Sequence, residues 1–297
     1  AGVSAGYGES DYKYFLYTCI INAVVGGLLL LYGRGAENKM SRRDGYCVVT
    51  LSWVFFTFFG MLPFYFSGSI DTITNAFFET MSGFTTTGAT ILDDIESLSH
   101  GMLFWRSLTQ WIGGLGIVFF TIAILPIFTT GGVQLFSAES TGVTHDRTHP
   151  KINVMAKWLW TIYLVLTVSE TVLLMFGGMS LFDAICQSFA TTATGGYSTK
   201  QNSISYWNSP YIEYVVAIFM IVSSINFSLF LMCLKGKVGR LFKDEELHWF
   251  LASVGILTFL ITLALVFQNH YDWELAFRKA LFQVSTVHTS CGFATDD

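Results

Sequence analysis

Charge is scarce in this chain. Asp, Glu, Lys and Arg make up 12% of its 297 residues, against about 25% in an ordinary soluble domain. Apolar residues reach 52% and aromatics 16%. A soluble fold would have too little polar surface to cover so large an apolar core, which leaves an integral membrane protein as the class. The net charge of −5 is unevenly spread, and no basic patch interleaved with aromatics exists, so nucleic acid is not an expected partner. The five cysteines (Cys19, Cys47, Cys186, Cys233, Cys291) form neither CxxC nor the spacing of a disulfide scaffold and read as small buried thiols.

Enzyme signatures are missing as well. There is no nucleophile elbow, Walker loop, zincin motif or paired-carboxylate pattern, so no catalytic residue and no organic cofactor is expected. Glu170 is the only acid in the middle of an apolar segment and reads as a buried hydrogen-bonding group. His145 and His149 flank Asp146 and Arg147 but have no third ligand, and Pro150 follows; the segment reads as a solvated loop without a transition metal. The first residue is not methionine, residues 1–11 are polar and Gly-rich, and the sequence stops at Asp297. Both ends read as cut, which makes this a piece of a longer protein.

What is present is a set of long apolar runs. Crossing a bilayer takes about 20 mostly apolar residues, and six segments qualify: Tyr12–Tyr32, Tyr46–Phe66, Met102–Phe128, Ile152–Phe176, Tyr211–Leu234 and Trp249–Phe267. Three shorter ones, Ile70–Ser82, Leu181–Ala190 and Trp273–Ser285, have half that length. Each precedes a small or hydroxylated run ending in glycine: Thr85-Thr86-Thr87-Gly88, Ala193-Thr194-Gly195-Gly196 and Thr289-Ser290-Cys291-Gly292. Aligned on Gly88, Gly196 and Gly292, the preceding segments match without a gap. The predicted fold class is therefore an all-α polytopic membrane protein of repeated span, half-helix, loop and span units around a common pore, with six spans and three re-entrant half-helices. The divisions are 1–45 (an extra N-terminal helix and loop), 46–140 and 141–240 (two full repeats) and 241–297 (a third, incomplete).

Orientation follows from the basic residues. Arg34, Lys39, Arg42, Arg43, Arg147, Lys151, Lys157, Lys235, Lys237, Arg240 and Lys243 fall in the connections 33–45, 129–157 and 235–248, eleven of the sixteen Lys and Arg. The opposite connections carry Asp71, Asp93, Asp94, Glu96, Glu213, Asp272 and Glu274. The positive-inside rule then puts loops 33–45, 129–151 and 235–248 in the cytoplasm, and the half-helices enter from outside. Acidic residues at that mouth concentrate cations.

Three glycine-ended loops in register suit a cation filter. Backbone carbonyls that replace an ion's water shell need glycine, which reaches backbone angles that crowd a side chain. The candidate ligands are Thr86, Thr87 and Gly88; Thr194, Gly195 and Gly196; and Ser290, Cys291 and Gly292. Half-helices that aim their C-terminal ends at the centre add the favourable pole of their dipoles. Glu79, Gln187 and Gln283 occupy one aligned half-helix position and are candidates for bracing the loops from behind. Gly113, Gly114 and Gly116 suggest close packing or a hinge, and Asn226 is a polar residue inside a span.

These residues resemble the Trk/Ktr/HKT potassium transporter superfamily, in its TrkH-like branch. Phe78-Glu79-Thr80-Met81-Ser82-Gly83-Phe84-Thr85-Thr86-Thr87-Gly88-Ala89-Thr90 is similar to the first pore loop, and Phe104 to Gly116 to the start of the following helix. Ala193 to Thr199 and Gly292 to Thr295 are similar to the second and third loops, and Met40 to Gly45 to the lead-in of the first repeat. The resemblance implies potassium as the transported ion and uptake across the cell inner membrane, as a channel or by symport. It implies four repeats around one pore, of which this sequence holds three, a homodimer in the lipid bilayer, and a cytosolic nucleotide-binding regulatory subunit (TrkA-like). Glycine at Gly88, Gly196 and Gly292 implies preference for potassium, with sodium the alternative cation on the same scaffold.

Overall fold

The computed structural model describes residues 1–35, 42–116, 152–234, 239 and 243–295, and these are helical with no strand among them. The connection carrying His145 and His149, and most of the basic residues used for orientation, lie outside the described residues. The chain divides into two units. One holds Ala1–Thr85 and Ala89–Lys157; the other holds Thr86–Gly88 and Trp158–Asp297.

In the first unit, α1 (Gly2–Gly6) leads into α2 (Tyr12–Tyr32). Leu28, Leu29, Leu30 and Leu31 are all exposed. A helix apolar on every side suits lipid rather than water. Next come α3 (Arg42–Gly60), α4 (Leu62–Ser67), α5 (Ile73–Phe84) and α6 (His100–Gly114). Pro63 in the first turn of α4 explains the break from α3, since proline has no N–H to continue the ladder.

The segment before α2 is tied to α6 by one carboxylate. The backbone N–H groups of His100 and Gly101 donate to Glu9 at 2.9 and 3.1 Å, and the His100 ring nitrogen Nδ1 lies 2.8 Å away. Ser99 accepts from the Met102 N–H, so the free donors at the start of α6 are met from two places. Tyr7 stacks on His100 with centroids 4.0 Å apart. Partial burial opposes charge on Glu9, but the His100 and Gly101 hydrogen bonds outweigh it and hold the carboxyl below its ordinary value. A depressed carboxylate stabilises the docked segment above the ordinary carboxylate range and releases it as pH falls through the lowered value. Glu9→Gln is accordingly expected to speed amide exchange over residues 1–11 at neutral pH, whereas the native protein does so only in acid. Hydrogen–deuterium exchange measured at both pH values checks this.

The second unit repeats the pattern with α7 (Ile152–Phe176, shared with the first unit at its start), α8 (Leu181–Thr192) and α9 (Pro210–Ser223), then α10 (Phe227–Leu234), α11 (Glu245–Asn269) and α12 (Trp273–His288). Its core joins Tyr197, Phe282, Cys291 and Phe293 to Leu174, Ile212, Val216 and Met220.

Among the described residues, four helical stretches are long and apolar enough to cross a membrane: Tyr12–Gly35, Cys47–Ser67, Lys157–Phe176 and Glu245–Asn269. Of the other two expected spans, one differs from the sequence reading and one lies partly outside the described residues. Tyr211–Leu234 is not continuous: it stops at Ser223 and restarts at Phe227, with Asn226 in the break. Met102–Phe128 is described only to Gly116, and its helix ends at Gly114. Gly114 and Ser223 lie within one residue of each other in the repeat register. Hydropathy averaged over a window does not report such a break, because Asn226 and the glycines are too few to offset their apolar neighbours. The cysteines also depart from expectation: Cys186 and Cys291 are buried, but Cys19 and Cys47 are exposed and Cys233 is half-buried.

Candidate functional site: three loops that meet at their glycines

The half-helices end in register. Phe84, Thr192 and His288 are their last residues, and they stand at equivalent positions of the alignment. The first two also start alike, with Thr72 accepting from the Asn75 N–H and Ser180 from the Asp183 N–H. In both α8 and α12 the backbone folds straight back on the last turn. Gly195 N–H donates to Ala190 O at 2.8 Å and Cys291 N–H to Thr286 O at 2.9 Å, again equivalent pairs.

Each loop carries two left-handed residues separated by one: Thr86 and Gly88 (φ 54° and 76°), Thr194 and Gly196 (52° and 74°), Ser290 and Gly292 (58° and 88°). Two of the non-glycine members are threonines, whose branched side chains make φ > 0 a genuine outlier. Such a residue costs about 1–3 kcal/mol and persists only where its surroundings over-determine it. Alternating hand also reverses the rotation of successive peptide planes, so neighbouring carbonyls can share one side of the chain.

The second unit contains all three loop tips, and they touch through backbone. A side-chain carbon on Gly88 would collide with the carbonyl oxygen of Gly195 and lie 3.7 Å from that of Cys291. One on Gly196 would collide with the Cys291 carbonyl oxygen. The Gly292 position meets nothing within 4 Å among the described residues. The contacts therefore run in one rotational sense, first loop on second and second on third.

Behind the loops, the aligned half-helix residues reach the chain that climbs away from the glycine. Glu79 accepts from the Thr90 hydroxyl at 2.9 Å and the Ile91 N–H at 3.0 Å. Gln187 Nε2 donates to Ser198 Oγ at 2.7 Å, and Gln283 Nε2 is 3.5 Å from Thr295 Oγ1. Sequence reasoning missed the partner that makes Glu79 affordable: Arg106 Nε lies 2.7 Å from its Oε1, and the side chains are 2% and 0% exposed. A lone arginine in an apolar segment was the available signal, since a charge at that depth needs a counter-charge. Tyr197 and Phe293 were also missed. They follow the glycines at equivalent positions and are each 1% exposed, wedging the loops into the core.

The Gly113 backbone packs directly on the Phe84 carbonyl at the end of α5, where a Cβ would collide. Gly114 is exposed, and Gly116 takes φ 69° just past the helix end. Glu170 is fully buried, as a hydrogen-bonding group inside a span would be, and the Thr191 and Thr192 hydroxyls are its polar neighbours.

Several helices able to cross a membrane, with short repeated helices ending in loops that meet backbone to backbone, fit a multi-pass membrane protein. The chain belongs to the TrkH family of cation transport proteins, which matches residues 12–297. It is 41% identical over 294 residues to the Trk system potassium uptake protein TrkH of Escherichia coli K12, covering 98% of this chain and 61% of that protein. It is 34% identical over 298 residues to TrkH of Halomonas elongata, covering 99% and 62%. The crystal structure of the potassium transporter TrkH from Vibrio parahaemolyticus superposes with a TM-score of 0.85 at 33% identity, over 99% of this chain and 61% of that one. The chain thus spans about three-fifths of the length of these relatives.

Proposed function

We propose that the three loops are walls of a potassium-selective filter and that the protein takes up potassium across the cell inner membrane. The observation that carries the reading is the backbone contact among Gly88, Gly195, Gly196 and Cys291 in loops of one repeated left-handed pattern. A potassium ion entering a narrow pore exchanges water oxygens for protein oxygens at small net cost, and such loops supply carbonyls at close quarters. Thr86, Thr87, Gly88, Thr194, Gly195, Gly196, Ser290, Cys291 and Gly292 are the ligating set, and Glu79, Gln187 and Gln283 brace it. The half-helices aim the negative poles of their dipoles toward the ion. Membership of the TrkH family and the names of its relatives support potassium as the cargo.

In this reading the open face of Gly292 receives a fourth loop, six spans surround the pore, and Gly113, Gly114, Gly116 and Asn226 mark where the helices below the filter bend or pack. The assembly is a homodimer with a cytosolic nucleotide-binding (TrkA-like) subunit. Expression of the full-length protein in cells lacking potassium uptake systems tests the function. Growth on limiting potassium and rubidium uptake resistant to excess sodium are expected. Uptake of sodium in preference to potassium would replace the cargo, and no cation uptake would remove the reading.

A further inference from the structure

The residue that closes each half-helix touches the long helix that precedes it, by a different chemistry each time. Phe84 meets Phe56 of α3 edge to face, with ring centroids 6.5 Å apart. Thr192 Oγ1 lies 3.4 Å from the Thr167 hydroxyl of α7. His288 meets α11: its Nε2 lies 3.0 Å from Ser253 Oγ, and its ring centroid 5.3 Å from that of Phe250. Phe84 and Thr192 are each 3% exposed, so packing holds them. His288 is exposed, and its place depends on the α11 contact.

Proton counting fixes the direction of that bond. A serine hydroxyl has one hydrogen to donate, and Ser253 gives it to the Phe250 carbonyl at 2.8 Å. Toward His288 it accepts, so the imidazole Nε2 carries the hydrogen. One turn of α11 thus clasps the end of α12, with the Phe250 ring against the imidazole and a hydrogen bond at Nε2. The third loop hangs on the same last turn of α12. Thr289 N–H donates to Ser285 O at 3.0 Å, Ser290 N–H to Val287 O at 3.1 Å and Cys291 N–H to Thr286 O at 2.9 Å. The Cys291 carbonyl is the one that lies against Gly196. A tilt of this turn therefore moves a carbonyl of the ligating set.

We propose that His288 is a specificity-determining positioning residue: by donating from Nε2 to Ser253 it holds the last turn of α12, and with it the Cys291 carbonyl, in the arrangement that prefers potassium. It acts through the loop and does not touch the ion. The inference rests on the loops being the filter. A bond of this kind survives replacement of the imidazole by an amide, whose nitrogen also donates, and is lost with an apolar side chain.

The test uses the full-length protein with His288→Gln, His288→Leu, Ser253→Ala and the double variant His288→Leu with Ser253→Ala, each read for yield, maximal rubidium uptake and sodium competition. His288→Gln is expected to keep the native potassium preference. His288→Leu and Ser253→Ala are each expected to lower it by about threefold to tenfold at comparable yield, the size of one hydrogen bond. The double variant is expected to lose no more than the worse single one, because both remove the same bond. Native preference in either single variant would overturn the proposal. So would a loss in His288→Gln as large as in His288→Leu, or losses that multiply in the double variant. Should His288→Leu fail to fold, Ser253→Ala decides alone: native preference in it overturns the proposal. A native protein that shows no potassium preference at all would instead remove the filter reading, so the two failures are distinguishable.

Discussion

Replacing Gly88 by serine is expected to lower the preference for potassium over sodium by at least about tenfold, a change worth about 1.4 kcal/mol. Two effects add at this position. With φ at 76°, any side chain incurs the left-handed penalty of about 1–2 kcal/mol. The new Cβ also meets the Gly195 carbonyl oxygen, which is backbone and has no rotamer to swing away. The loop must move, and the Gly195 carbonyl moves with it. Gly196→Ser is expected to act in the same direction, because its Cβ meets the Cys291 carbonyl oxygen. Gly68→Ser separates strain from site. Gly68 also has a positive φ, 70°, but a side chain there meets nothing within 4 Å. It should reduce thermal stability without altering ion preference. Rubidium uptake against increasing sodium, with yield measured in parallel, checks all three. Unaltered preference in both Gly88→Ser and Gly196→Ser would detach the loops from selectivity.

The second large effect is expected at Glu79. Its carboxylate is buried with Arg106 and also holds the Thr90 hydroxyl and Ile91 N–H beyond the first loop. Removing one member of a buried ion pair typically costs about 3–5 kcal/mol, because the other charge is left unpaired. Glu79→Ala strands Arg106 and releases the climbing chain together, so both folded yield and ion preference should fall. Arg106→Met leaves the chain contacts in place and strands only the carboxylate. The double variant Glu79→Gln with Arg106→Met should be more stable than Arg106→Met alone, since no buried charge remains. Its ion preference should still be impaired, because an amide side chain cannot accept from both loop groups with two carboxylate oxygens. Thermal unfolding in detergent reads the first quantity and sodium competition the second. Independent, additive losses from the two sites would mean that the pair is not coupled.

Much of the site was legible because it is local. A glycine required by a left-handed turn, and a half-length apolar helix before it, are written in consecutive residues. The register of Gly88, Gly196 and Gly292 therefore carried over to the equivalent helix ends at Phe84, Thr192 and His288. Pairings between distant residues were not legible. Nothing in the spacing of Glu79 and Arg106 says that they meet, and the repeats do not help, since the aligned Gln187 and Gln283 carry no charge. The interruption at Ser224–Asn226 was hidden for another reason: hydropathy averages over a window, and three residues, one of them the polar Asn226, are outweighed by the apolar runs on either side.

Composition and repetition by themselves determined the membrane class and the three glycine-ended loops, because burying apolar surface with so few charges and turning the backbone left-handed are demands on residue type. Only the tertiary structure decided which carbonyl lies against which glycine and which acid found its arginine. Those outcomes depend on distances of a few ångströms between segments far apart in the chain, where packing rather than local preference has the final word.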